Sequence, residues 1–562
     1  METPSEPHPK KQCTEDLRGG EESDDSSVVF TGSAPAPPAP PAPAKSIKVM
    51  KEAIRAAGLG TSDLLERSHV EERYEQALAR LEDADRRKAS SAASATSATS
   101  SNGDVSTRYA WQPLRTRAIG GADSPGNRGA LSHADVMAGD PLAAVISNFE
   151  INAFTLEKTC PALLGVDRLI IFHGCARAAR DLRSRFPRAE IHDMTPKKLT
   201  FVNPRTGKEW QNTYGCHHAK AEFVFFKDGV RVSIHTANII SCDLHNKSQG
   251  IWMQTFPIKK AGAGSSDFEE QLVKYFLSLQ KHAARMPRSW KGLGDAFDDE
   301  PLTIAGALRK FDYSGAKARL VASTPGYHSG ADLHSFGANR VAAVLAKEGD
   351  AAAQKPTDKI YCQFSSLSSP TNPLATLKAA FHAPARLQPS PPRVPLSIVW
   401  PTAAEVCASV EGYGAGGALP SAQKNVDKAP REMLCRWTTD GPSSDFVAAR
   451  RRAMGHIKTW TRVSGDGATV RWSVLTSANL SGGAWGTVRD GGRTLFIMHW
   501  ELGVLVTPSI MGAPLRTTQG SEGAIVPLPF ACPPRPYAQG DVPFSWEARY
   551  EAPDRWGKHG TR

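Results

Sequence analysis

The chain has 562 residues, 40% hydrophobic and 22% charged, which leaves room for roughly two to four domains with sizeable cores. Sixty-eight Lys and Arg against 57 Asp and Glu give a net charge of +11, which suits a polyanionic partner but says nothing about fold. The chain has no apolar run of about 18 residues, no apolar core in its start METPSEPHPKK, and nine scattered cysteines without a CxxC pair. These features argue against a membrane span, a secretory signal, a disulfide framework and a zinc ribbon.

Residues 1–125 read as a disordered N-terminal region. Residues 1–30 hold eight acidic and three basic side chains, a net of −5, so the remainder carries +16. Asp24–Phe30, DDSSVVF, has the makings of an edge strand for a small modifier such as SUMO or for a repair protein. An ordinary tail is the competing reading. Ala34–Ala44 has six prolines in eleven residues, a stiff spacer. Val70, Tyr74, Ala77, Leu78 and Leu81 share a helical face. Ala89–Ser101, ASSAASATSATSS, has nothing to bury.

From about Leu131, apolar runs alternate with helical patterns. Asp167–His173, Glu222–Phe226, Val230–His235, Ser397–Trp400, Arg471–Thr476 and Leu495–His499 read as strands. Buried strands separated by helices indicate α/β layers. The turn-rich Ser323–Ser329 splits this body in two, giving 126–328 and 329–562 as the expected domains.

The two halves repeat a motif. His218-Ala219-Lys220, Thr236-Ala237-Asn238 and Gln249-Gly250 in the first match His456-Ile457-Lys458, Ser477-Ala478-Asn479 and Glu501-Leu502-Gly503 in the second. Three elements in one order, twice, indicate an internal duplication. On a strand, residues i and i+2 face the same way, so HxK sets an imidazole beside an ammonium. Two such pairs facing each other can cleave a phosphodiester. The lysines neutralise a phosphoryl group, the asparagines donate to its oxygens, one His attacks and the other protonates the leaving oxygen. No metal or other cofactor is needed, because the lysines supply the charge.

Paired HxK motifs followed by Asn resemble the phospholipase D superfamily, whose usual pattern is HxKxxxxD. Here Phe225 and Val463 occupy both Asp positions. That loss, with GCHHAK (215–220), HTANI (235–239), KSQGIW (247–252), STPG (323–326), QFSS (363–366), GYGAGGALP (412–420), TSANLSGGAWG (476–486) and ELGVL (501–505), resembles the tyrosyl-DNA phosphodiesterase family. The resemblance implies two pseudo-duplicated α-β-α sandwich domains with the active site at their interface. It implies removal of a topoisomerase I-derived tyrosyl peptide, or another adduct, from a blocked DNA 3′-phosphate, single- or double-stranded. It also implies a nuclear, monomeric enzyme with no membrane partner.

Carried over residue by residue, His218 is the nucleophile and His456 the general acid and later base. Lys220, Lys458, Asn238 and Asn479 bind phosphoryl oxygens. Gln249 and Glu501 orient the imidazoles. Ser365 and Ser366 contact the DNA backbone, and Tyr214 stacks on DNA. Asn152 stands where some members carry an aromatic, and the loop Thr195–Tyr214 is longer than expected. The alternatives are another phosphodiester substrate, such as a phospholipid headgroup, or an inactive DNA-binding protein.

Other residues carry blander readings. His173, His235 and His245 are packing residues by default. His217 faces away from the pocket, so Cys216-His217-His218 is not a metal set. Arg450-Arg451-Arg452 touches DNA phosphates or forms a solvated loop. GYGAGGALP lacks the Lys-Ser/Thr of a P-loop and reads as a tight loop at the domain seam.

Overall fold

The computed structural model describes residues 108–560, apart from 176–177, 196–198, 204–205, 213–214, 283–302, 349–354, 383–393, 439–442 and 518–521. The modifier-binding strand, the proline spacer and the helical face expected before residue 100 lie outside the described residues, as does Tyr214.

The duplication is structural. The first sheet contains β1 (Gln112–Pro113), β2 (Ala143–Asn148), β3 (Arg168–His173), β4 (Glu190–Asp193), β7 (Ala221–Phe226), β8 (Gly229–His235) and β9 (Gly250–Pro257) in the order β1-β9-β8-β7-β2-β3-β4. Between β4 and β7, the β5 (Leu199–Val202) and β6 (Glu209–Asn212) strands form an antiparallel hairpin, which accounts for most of the long loop before the first motif.

The second sheet contains β10 (Arg319–Ser323), β12 (Lys359–Gln363), β13 (Leu396–Val399), β14 (Leu434–Cys435), β15 (Thr459–Val463), β16 (Thr469–Thr476) and β19 (Glu501–Val506). Its order is β10-β19-β16-β15-β12-β13-β14, with β20 (Leu515–Arg516) and β21 (Ala524–Ile525) attached through β16. A small separate sheet joins β11 (Gly326–Ser329), β18 (Thr494–Ile497) and β17 (Thr487–Arg489).

Six strands superpose in role. In each half three strands run parallel (β2-β3-β4 and β12-β13-β14) and three are added antiparallel (β7-β8-β9 and β15-β16-β19). The strands are buried because both faces are covered, which is why they read as near-continuous apolar runs. One core runs from Phe223 and Ile234 through Leu272 and Phe276 of the helix Asp267–His282 to Leu320 and Val504. A second cluster covers the other face of the first sheet. It includes Leu156 of the helix Ala153–Thr159 and Leu182 of the helix Ala178–Arg185.

Three expectations need correction. The segment 108–125, placed in the tail by composition, is folded: Trp111, Leu114 and Thr116 are buried. β1 adds to β9, and Tyr109 bridges to Ile525, so the segment ties the two halves together. The strand β10 precedes the expected boundary at 328 yet pairs along its length with β19, because its apolar face belongs to the second sheet. Arg450 is neither a DNA contact nor part of a solvated loop. It is fully buried and donates to Gly126 O (2.7 Å), Leu114 O (2.8 Å), Thr116 Oγ1 (3.2 Å) and Asn127 Oδ1 (3.3 Å).

That clamp predicts a sharp difference between two truncations. A chain begun at residue 108 keeps the contacts. One begun at 126 exposes the Trp111 site and leaves the Arg450 guanidinium without Leu114 and Thr116. A buried cation stripped of partners costs about 3–5 kcal/mol. Thermal melts should show the longer truncation unfolding roughly 5 °C or more below the shorter one. Equal melting temperatures would contradict the clamp.

Candidate active site

The two HxK motifs lie in the extended segments that lead into β7 and β15, not in the strands themselves. Each segment is hydrogen-bonded to the other half. His218 N donates to Trp500 O (2.9 Å) and Trp500 N to Cys216 O (3.0 Å). In the pseudo-equivalent place, His456 N donates to Ser248 O (3.1 Å) and Ser248 N to Met454 O (2.9 Å). Trp500 and Ser248 directly precede Glu501 and Gln249, so the same exchange delivers those two side chains to the opposite imidazole. The seam is tight enough that a Cβ on Gly250 would sit 2.8–2.9 Å from Leu475 and Ile457.

Glu501 holds His218: Nδ1 lies 2.9 Å and 3.0 Å from its two carboxylate oxygens. The Ser477 hydroxyl donates to Glu501 as well. Gln249 lies 3.3 Å from His456 Nδ1 and accepts from the Thr236 hydroxyl at 2.7 Å. The closer partner of His456 was missed from sequence: Asp243 Oδ2 stands 2.9 Å from Nδ1. Asp243 sits in the first turn of the helix Ser241–Asn246 and also accepts from Asn238 N at 2.8 Å. A signal existed. The second half carries a charged Glu501 where the first carries neutral Gln249, so the first half must find its carboxylate elsewhere. With both Nδ1 atoms engaged, each imidazole keeps Nε2 for the pocket.

The lysines repeat the symmetry. Lys220 Nζ donates to His218 O (2.9 Å) and Lys458 Nζ to His456 O (2.6 Å), and both side chains are fully buried. Asn479 Oδ1 accepts from Ser365 N and Ser366 N, each at 3.1 Å, which turns its NH2 group outward as a donor. Ser365 and Ser366, expected on the DNA backbone, are almost wholly buried. Their hydrogen bonds position Asn479, and the Ser366 hydroxyl donates to Pro420 O. The glycine-rich loop packs on the C-terminal segment, with Tyr413 N donating to Asp554. Phe149, also unforeseen, sets its ring 5.4 Å from the His218 imidazole and 5.7 Å from Lys220 Nζ.

Burial dominates the electrostatics. It pushes the His218 imidazole down to about 4, with Glu501 opposing and Lys220 assisting. It pushes His456 down to about 3, with Asp243 opposing and Lys458 assisting. Burial lowers Lys220 to about 8, against the pull of Glu501 and Asp243, and holds Lys458 well below its usual range, with Lys220 adding repulsion. For Glu501 and Asp243, burial raises the carboxyl but the facing imidazole prevails, so each is held at about 2. At neutral pH the site is therefore two neutral imidazoles oriented by two carboxylates, beside a cationic Lys220.

Among the described residues, one group has the make-up of metal ligands: His133, Glu222 and His235, all buried. Glu222 Oε1 already accepts from both His Nε2 atoms, at 3.1 Å and 2.8 Å, and Ser233 donates to Oε2 at 2.5 Å. The group braces β7 against β8 and supplies no side chain to the pocket. His217, as expected, turns away, with Nε2 2.8 Å from Ser147 Oγ.

Two His–Lys pairs at the seam of a duplicated α/β body define a phosphodiesterase of the phospholipase D type. A family model described as tyrosyl-DNA phosphodiesterase matches residues 121–538. The tyrosyl-DNA phosphodiesterase 1 of Arabidopsis thaliana is 34% identical over 478 residues, covering 77% of this chain and 74% of that protein. The Drosophila melanogaster enzyme of the same name is 32% identical over 356 residues, 59% of this chain and 57% of its own. A yeast tyrosyl-DNA phosphodiesterase crystal structure shares the fold, with a TM-score of 0.55 at 17% identity, over 77% of this chain and 99% of that one. The chain belongs to the tyrosyl-DNA phosphodiesterase family and is a phosphodiester hydrolase of DNA repair.

The pH dependence of kcat/KM follows from the free-enzyme groups. Activity should rise through about pH 4 as the His218 imidazole loses its proton. It should fall above about pH 8 as Lys220 loses its own and no longer neutralises phosphate. Lys220→Arg should shift the alkaline limb upward at whatever absolute rate it retains, since a guanidinium stays charged. An alkaline limb that stays put in that variant would assign it to another group.

Proposed function

We propose that the enzyme hydrolyses the bond between a tyrosyl peptide and a DNA 3′-phosphate through a phosphohistidine on His218, without a metal ion. The observation that carries this reading is the cross-seam pairing. Each imidazole has Nδ1 on a carboxylate and Nε2 free, with a buried lysine beside it.

In the first step His218 Nε2 attacks phosphorus, and the bond to the tyrosyl oxygen breaks. His456 gives that oxygen its proton. The phosphodiester anion between the imidazoles draws His456 proton affinity back up from its low free-enzyme value. Lys220, Lys458, Asn238 and Asn479 take the charge on the equatorial oxygens. In the second step His456 removes a proton from water, which attacks the phosphohistidine and leaves a 3′-phosphate on the DNA. Glu501 and Asp243 keep the two rings in the required tautomer, and Gln249 packs against the His456 ring.

The domains are the two sheets with their helices, and the strap 108–125 joins both. A topoisomerase I-derived peptide is the protein-side substrate, and the enzyme acts in the nucleus as a monomer. Asp24–Phe30 is the segment for a modifier or repair partner.

The first test is hydrolysis of a 3′-phosphotyrosyl oligonucleotide. Turnover should persist in excess EDTA; loss on chelation, restored by Mg²⁺ or Zn²⁺, would overturn the metal-free route.

The histidine variants should differ in kind. His218→Ala has no covalent route and should form no adduct. A phenol leaves with a pKa of about 10 and needs little protonation, whereas hydrolysis of the adduct needs a base, a contribution worth roughly 10²–10⁴-fold. His456→Asn should therefore accumulate protein joined to DNA, acid-labile on a denaturing gel. An adduct with His218→Ala and none with His456→Asn would exchange the two roles.

A further inference from the structure

Beyond the pocket, one part of the surface is built from cations around an exposed aromatic ring. Phe154, in the helix Ala153–Thr159, is 37% exposed. Lys158 Nζ lies 4.5 Å from its ring centroid and Arg185 Cζ 5.0 Å. The neighbouring helix Ala178–Arg185 adds Arg180 and Arg183, both exposed, and Arg188 follows it, pinned by a 2.9 Å hydrogen bond to Leu164 O. The same two helices carry two acids, Asp181 and Glu157, and Glu157 is paired with Arg185.

The patch starts at the rim of the active site. Phe149 packs on His218, and four residues later the helix begins. Asn152 N donates to Ile239 O, and Ile239 N to Glu150 O, so the helix springs from the backbone next to Asn238. The seven-residue helix is about 10 Å long, so Phe154 and Lys158 lie on an element that begins beside the pocket.

A phosphate backbone is the ligand that fits. Residues three apart on a helix, such as Arg180 and Arg183, are neighbours about 5–6 Å apart, so both can engage one phosphate backbone. Phe154 holds Lys158 and Arg185 in place, which lowers the entropy lost when they engage. An apolar partner would have to desolvate the guanidinium groups without return.

We propose that this surface is a second DNA-binding site, which takes the phosphates upstream of the 3′ end held in the pocket. It rests on the reading of the pocket as a site for a DNA 3′-phosphate. Arg180→Ala/Arg183→Ala is the informative variant, because both side chains are exposed and neither is in the catalytic machinery. Fluorescence anisotropy should be measured with a 6-nucleotide and a 30-nucleotide 3′-phosphorylated DNA, and turnover with 3′-phosphotyrosyl versions of the same two.

The variant should weaken binding of the long DNA about tenfold and lower its salt slope by between one and two. Its KM for the long substrate should rise accordingly, with kcat and all constants for the short DNA unchanged. Charge reversal, Arg180→Glu/Arg183→Glu, should deepen the effect. Unchanged affinity and salt slope for the long DNA would overturn the proposal, as would equal losses on both lengths. If wild-type enzyme bound long DNA through the patch yet cleaved neither substrate, the reading of the pocket would fail while the patch stood.

Discussion

Everything at the active centre depends on a reciprocal backbone exchange. The segment before each HxK motif pairs with the segment before the other half's β9 or β19. Two short parallel bridges, His217 to Trp500 and Ser248 to Gly455, thus position six side chains at once: His218, Lys220, Gln249, His456, Lys458 and Glu501. Each half provides an imidazole and a lysine, and each provides the acceptor that orients the other half's imidazole. Neither half contains a complete histidine site alone.

This arrangement explains why the pocket tolerates so much buried charge. Lys220, Lys458, Glu501 and Asp243 are each almost fully buried. Burying any of them singly would cost several kcal/mol. Interleaved across the seam, each carboxylate meets an imidazole, and each lysine meets a main-chain carbonyl. Among the described residues, neither lysine has a carboxylate partner of its own. Lys220 lowers the proton affinity of Lys458 further.

The duplication is exact in backbone and loose in side chains. Main-chain bonds recur in pairs: His235 N to Lys220 O matches Thr476 N to Lys458 O, and Thr236 N to Gly250 O matches Ser477 N to Leu502 O. Side chains diverge around the two histidines. His218 has a bidentate carboxylate, and His456 has an aspartate from a helix turn plus an amide. The strap 108–125 and Arg450 break the symmetry further. They lie across both halves and hold the seam from outside the pocket.

The sequence alone determined the duplication, the six strands and the two His–Lys pairs. Those features are local: strands show as apolar runs, and a motif repeats at fixed spacing within one stretch of chain. Only the tertiary structure decided who meets whom. Glu501 lies 283 residues from His218, and Asp243 more than 200 from His456, so no periodicity could pair them. Arg450 read as one of three surface arginines because nothing in RRR distinguishes the one that turns inward. Trp111 and Thr116 were hidden in a polar stretch because their burial comes from the second half of the chain. Long-range contacts carry no signature in local composition, and in this fold they set the seam where the chemistry takes place.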